Sequence, residues 1–193
     1  MKTHIFTFSS ESIDCVRSLV GDSWRCFGGT MMSGRLTEMF YVFVATEQHE
    51  FTITSEVDFF DITGEVYETA ISELAIKPDA PELATAIREG HTFAQYAGQK
   101  VNDVLVIRDT IDEFQADVHT WRIIKDVGLI IILERGLICL TQDILHDEML
   151  VFTLGTSLEE FTIPRIDSVW RNDELGIEYT TNRELISVNT MTP

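Results

Sequence analysis

Asp143, His146, Asp147 and Glu148 stand close together in the chain. Carboxylates beside an imidazole are ligand types for a divalent cation. The five histidines, His4, His49, His91, His119 and His146, contain no HExxH or HxH pair. That spacing would set two ligands on one face of a helix or strand. The 143–148 segment therefore reads as a polar turn, and no metal or other cofactor is expected.

A second group, Asp109, Asp112, Glu113, Asp117 and His119, has the acids of a phosphodiester nuclease. Such a site also needs a lysine two residues after a strand carboxylate. The four lysines are Lys2, Lys77, Lys100 and Lys125. Ala75, Gly98 and Ile123 lie two before the last three, so the chemistry is missing. A glycosidase pair of carboxylates depends on spacing in space, which the sequence leaves open.

Gly29-Thr30-Met31-Met32-Ser33-Gly34-Arg35-Leu36 has the G-x4-G spacing of a phosphate-binding loop. The lysine that reaches the phosphates and the hydroxyl that binds magnesium are replaced by Arg35 and Leu36. No G-x-S-x-G elbow and no GxGxxG fingerprint occurs. Cys15, Cys26 and Cys139 are widely spaced, form no CxxC motif, and read as buried hydrophobes in a reducing compartment.

Charge is the stronger signal. The 193 residues carry 14 Lys and Arg against 32 Asp and Glu, a formal net charge of −18. A field of that sign repels phosphate backbones and anionic bilayers, so neither nucleic acid nor membrane is an expected partner. Between Leu36 and Ile76 there is no Lys or Arg, while nine acids occur: Glu38, Glu47, Glu50, Glu56, Asp58, Asp61, Glu65, Glu68 and Glu73. Glu47, Glu50, Glu56, Asp58, Asp61, Glu65 and Glu68 are the candidate binding residues, an anionic face for a basic protein partner.

The elements that position these residues follow from periodicity. Residues 4–8 read as a strand, and Ser9 or Ser10 caps a helix carrying Ile13, Val16, Leu19 and Val20. A glycine turn is expected from Gly28 to Gly34. Residues 40–46 are apolar on both strand faces, as in a central strand. In the next segment Phe51, Ile53, Val57 and Phe59 alternate with Glu50, Thr52, Thr54, Glu56 and Asp58, the pattern of a half-buried strand. Val66, Tyr67, Ala70, Ile71 and Leu74 make a helical stripe over 64–75, although a strand fits the same residues. A helix is expected over 79–90, with Asp79 and Glu82 as a capping pair, Pro81 in its first turn and Gly90 at its end.

After residue 100 the chain reads as short strands at 104–107, 118–124, 127–133, 137–141, 149–154, 161–163, 168–171, 176–180 and 184–188. Turns are expected at Glu134-Arg135-Gly136, Asn172-Asp173-Glu174 and Thr181-Asn182-Arg183. The expected fold is α+β and predominantly β, one domain over 1–193. Its core would be an antiparallel meander, as a sandwich or partly open barrel, with two or three helices in the N-terminal half.

The chain has no apolar run long enough for a bilayer or a secretory leader, which places it in the cytoplasm. The leading expectation is a non-enzymatic, inhibitor-like binding protein. The alternatives are an enzyme or small-molecule binder with a site in a β-sheet cavity, and a structural subunit assembling through an apolar sheet face. Arg35 and Leu36 carry one direct test. Millimolar ATP or GTP with magnesium is expected to leave the melting temperature unchanged, and a clear upward shift would overturn the loop reading.

Overall fold

A computed structural model describes residues 2–29, 38–39, 41–60, 69–89, 91–142, 150–162 and 176–191; side chains of 38–39, 57–60 and 69–72 lie outside that description. The protein is mostly β, with two α-helices and two sheets among the described residues. In chain order the elements are β1 (Lys2–Phe6), α1 (Ser10–Arg17), β2 (Trp24–Gly29), β3 (Glu38–Met39), β4 (Tyr41–Thr46), β5 (Glu50–Phe60) and β6 (Thr69–Lys77). There follow α2 (Leu83–Glu89), β7 (Thr92–Phe93), β8 (Val101–Gln115), β9 (Val118–Leu133), β10 (Gly136–Gln142), β11 (Leu150–Gly155), a 3-10 turn (Leu158–Phe161) and β12 (Ile177–Ser187).

The first sheet runs β12-β8-β9-β10-β11-β3, all antiparallel, with β1 laid parallel along the first part of β9. The second runs β6-β5-β4-β2-β7, antiparallel throughout. Alternation gives each sheet an apolar face. Trp24, Phe27, Val42, Val44, Phe51 and Ile53 of the second sheet meet Val104, Val106, Leu129, Ile131, Ile138 and Leu140 of the first in one buried cluster. Ile13 and Val16 of α1 join it. Each such side chain contributes about 1.5–3 kcal/mol on leaving water. Ser9 caps α1 by accepting from the Ser12 amide. Arg17 ties its last turn to the carbonyls of Val188 and Met191.

The other face of the second sheet is partly covered by α2, where Ala80, Leu83 and Ala86 pack on Cys26, Phe43 and Ala45. Gly28 lies in β2 directly opposite Phe43. A Cβ at residue 28 would stand 2.5 Å from the Phe43 ring and 2.4 Å from the His91 carbonyl oxygen. The expected glycine turn therefore starts too early. Gly28 and Gly29 belong to a strand because the ring and β7 need that space, and residues 30–37 lie outside the described residues.

One open reading is settled and four further expectations are corrected. Of the helix and the strand that residues 64–75 both allowed, the strand forms, from Thr69 to Lys77, paired with β5 over nine rows. Leu74 and Ile76 suit either period, and pairing decides; residues 61–68 are outside the description. The second helix starts at Leu83, not at Asp79, whose carbonyl instead accepts from the Thr52 hydroxyl. The strands expected at 118–124 and 127–133 are one strand, β9, with a bulge at 126–128. Likewise 176–180 and 184–188 form β12, and Thr181-Asn182-Arg183 is its middle rather than a turn. Phe161 closes a 3-10 turn rather than opening a strand. The segments at 168–171 and 172–174 are outside the described residues.

Because Gly28 makes room for Phe43, Gly28→Val is expected to cost about 1–3 kcal/mol, as overpacking does. Thermal melting reads this as a lower midpoint, and an unchanged midpoint would contradict the packing.

Candidate functional site

The acidic residues begin at the β4–β5 hairpin. Asp22, in the turn after α1, fixes this hairpin from outside. Its carboxylate accepts from the Thr46 hydroxyl at 2.5 Å, the Gln48 amide at 2.9 Å and the Ser23 amide at 2.7 Å, and lies 3.3 Å from His49 Nδ1. Burial works upward on the Asp22 pKa, but these hydrogen bonds outweigh it and hold the group below the usual carboxylate range. Glu47 and Glu50 are thus displayed, exposed, on a hairpin pinned by a permanent anion.

Along β5 the expected alternation holds where side chains are described. Phe51 and Ile53 are buried and Glu50 and Glu56 are exposed. Glu73 of β6 stands directly across from Glu56. The sequence stretch without cations ends at Lys77, and the strand pairing brings that lysine back: its Nζ lies 3.5 Å from Glu56. Both groups are more than half exposed, so this contact is weak. Asp58 belongs to β5 by its backbone, its side chain outside the description; Asp61, Glu65 and Glu68 are outside the described residues.

Beside these acids, between the outer face of β5 and the start of α2, is a groove of about 270 Å³. Tyr41 and Phe43 of β4 and Thr52 and Thr54 of β5 line it, with Lys77, Asp79, Pro81 and Glu82 at its edge. The Tyr41 hydroxyl bonds the Glu82 carboxylate, and the Thr54 Oγ1 is buried with no hydrogen-bond partner among the described residues.

Compared with protein families, curated proteins and solved structures, the chain matches none of them.

The sequence-predicted acids at 109–119 lie on the first sheet, and their surroundings are different. Arg183 grips Asp109 through two bonds of 2.7 and 2.6 Å. Arg122 holds Asp112 at 2.7 and 2.9 Å, and Arg108 holds Asp126 at 2.7 and 3.0 Å. All three are directly opposed residues on neighbouring strands. Glu113 accepts from Thr120 and Tyr179, which raises the Tyr179 pKa through burial and then that carboxylate. His119 Nε2 lies 2.8 Å from Asp112. Sequence reading grouped these acids but missed the cations that pair them. The signal was a mirror pattern about residue 117: Arg108 with Asp126, Asp109 with Lys125, and Asp112 with Arg122.

Lys125 is fully buried opposite Asp109. Desolvation pushes its pKa down to about 7, against the upward pull of Glu73 and Asp109. The thiols run the other way. Burial, then Glu11, raises Cys15 to about 11, and burial raises Cys26. Thiols so raised stay protonated, unlike a nucleophilic cysteine. Among the described residues no group of three or more His, Cys, Asp or Glu is placed to hold a metal. Asp143, His146, Asp147 and Glu148 lie outside them. No described helix is long and apolar enough to cross a membrane.

Two predictions follow from the buried charges. Unfolded, Lys125 titrates at its ordinary 10.5; folded, at about 7. In that window the unfolded chain holds the extra proton, so stability rises with pH, by up to about 1.4 kcal/mol per pH unit. Denaturant unfolding from pH 6 to 10 is expected to show this rise in the wild type and lose it in Lys125→Met; an unchanged profile would contradict the assignment. Separately, Arg183→Met removes both guanidinium bonds from buried Asp109, with buried Lys125 its remaining basic neighbour, and is expected to cost about 3–5 kcal/mol. Arg122→Met, at a far more exposed side chain, is expected to cost much less. Equal losses would contradict that ordering.

Proposed function

We propose that this chain is a non-enzymatic binding protein that recognises a cationic protein partner through the outer face of the second sheet. The observation that carries the reading is how the cations are used. Arg108, Arg122 and Arg183 are each committed to an aspartate of the first sheet, and Lys125 is buried there. Glu47 and Glu50 stand exposed on the pinned hairpin, and among the described residues Glu56 has only the weak Lys77 contact. With 32 acids against 14 cations, the unpaired surplus has to reside on the surface. An anionic surface of this kind speeds encounter with a basic partner more than it tightens the final complex.

In this reading Asp58, Asp61, Glu65 and Glu68 also take part in recognising the partner. The two sheets are taken as a sandwich within one domain spanning 1–193, and the protein as cytoplasmic. Nucleic acid and membrane surfaces are not its partners, since both are anionic.

Association kinetics test the proposal. Reversing Glu47, Glu50 and Glu56 to lysine is expected to slow association with the natural partner by about tenfold or more at low salt. The effect should shrink as salt rises toward a Debye length of about 8 Å. Reversing Glu134, Glu178 and Glu184, exposed acids of the first sheet, serves as control. An unchanged on-rate in the first variant, or an equal effect in the control, would overturn the assignment of the face.

A further inference from the structure

We infer that the pocket between the start of α1 and the end of β12 is a binding site for a small uncharged amide that carries a short apolar chain. It is built on the first sheet and is independent of the acidic face proposed above.

The pocket encloses about 520 Å³, within the roughly 300–1,000 Å³ of sites that hold small molecules. Thr7, Ser10 and Thr190 stand exposed in its wall, with Arg108, Ile186 and Met191 partly buried. Both sides are tied down. The Phe8 amide donates to Asp126 at 2.8 Å, and Arg17 donates to the carbonyls of Val188 and Met191. The walls are held in place before a ligand arrives, which lowers the ordering cost of binding.

Arg108 decides the chemistry. Its Nε and Nη2 donate to Asp126, so only the side edge of the guanidinium is used. Three of the five N–H donors of an arginine then remain. Two of them, one on Nη1 and one on Nη2, point the same way and form a second fork. Among the described residues nothing fills that fork. Asp126 is 1% exposed and Arg108 22%. The pair is closed on the aspartate's side and open on the arginine's, where it lines the pocket.

Spare donors are not spare charge. Asp126 answers the cation at contact. Glu184 stands directly across from Arg108 on β12, exposed, and makes no bond with it among the described residues. Coulomb attraction falls only as the inverse of distance, so two acids at about twice the contact distance cancel one cation. An anionic ligand gains little here, although a carboxylate would fit the fork. A neutral carbonyl oxygen takes the two N–H groups without that repulsion. The exposed hydroxyls of Thr7 and Ser10 can accept the amide N–H, and Ile186 and Met191 offer apolar surface to the chain.

The test uses the full chain, isotopically labelled and followed by NMR. The probe is hexanamide, with hexanoate as its anionic counterpart and hexan-1-ol as its carbonyl-free one. Hexanamide is expected to shift the amides of Thr7, Ser10, Thr190 and Met191 saturably, with a Kd on the order of millimolar. Hexanoate is expected to bind at least about tenfold more weakly. Hexan-1-ol should bind severalfold more weakly, since it leaves the fork without a carbonyl. Glu184→Gln removes one of the two opposing acids and is expected to narrow the gap between hexanoate and hexanamide severalfold.

Arg108→Lys keeps a cation for Asp126 but has no fork, and is expected to weaken hexanamide by about tenfold. Met191→Trp lies outside the ion pair and fills the pocket. It is expected to abolish binding with little change in melting temperature, and it carries the test if Arg108→Lys does not fold. No saturable shift from hexanamide, equal or tighter binding of hexanoate or hexan-1-ol, or unaltered binding in Met191→Trp would overturn the inference.

Discussion

The Arg183–Asp109 pair is the contact on which the first sheet depends. Both side chains are nine-tenths or more buried, and the pair joins the edge strand β12 to β8 at the middle of their ladder. A buried carboxylate without a cation is expensive, so the register between these strands is held to one solution. A slip of one residue would turn Arg183 outward and strip Asp109 of its two guanidinium bonds. Across β8 and β9, Arg108–Asp126 beside the bulge and Arg122–Asp112 four residues further along hold the opposite ladder in the same way. Phe8 is drawn into this arrangement, since its amide donates to Asp126 at 2.8 Å. That bond sets where the chain leaves β1 and where α1 begins.

This commitment shapes the rest of the molecule. Cations placed inside a sheet to define its pairing are withdrawn from the surface. An acidic chain that uses its arginines this way carries its remaining negative charge outside. The second sheet has the opposite character: its inner face is aromatic and aliphatic, and described β5 side chains on its outer face are hydroxyls and carboxylates. One sheet is specified by paired charge and the other by burial. The groove beside α2 arises where the apolar patch under that helix ends and the acidic surface starts.

Much of this architecture was legible from the residues. The alternation at 50–56, the cap at Ser9 and the hairpin at Glu134-Arg135 each rest on one local rule, and local rules survive folding. The failures share a cause as well. Thr69–Lys77 takes its conformation from β5, and Thr181-Asn182-Arg183 from β8, so neighbours distant in sequence decided both. Gly28 looked like a turn residue because the ring that occupies its space belongs to Phe43. For the candidate site, exposure of Glu50 and Glu56 followed from period two. The groove did not, since Glu82 reaches the paired Tyr41 and Thr54 only through the packing of the segment that leads into α2. Lys77, one residue beyond the cation-free stretch, was the partner that linear reading could not place.

The central claim is a separation of charge: cations spent within the first sheet, uncompensated acids on the outer face of the second. Surface potential can be read amide by amide from the paramagnetic relaxation caused by cationic and neutral nitroxide cosolutes. The account predicts the strongest attraction of the cationic probe at residues 47–56, and values near the neutral probe's at residues 108–112 and 122–126. A potential that is uniform over both regions, or more negative over the first sheet, would contradict it.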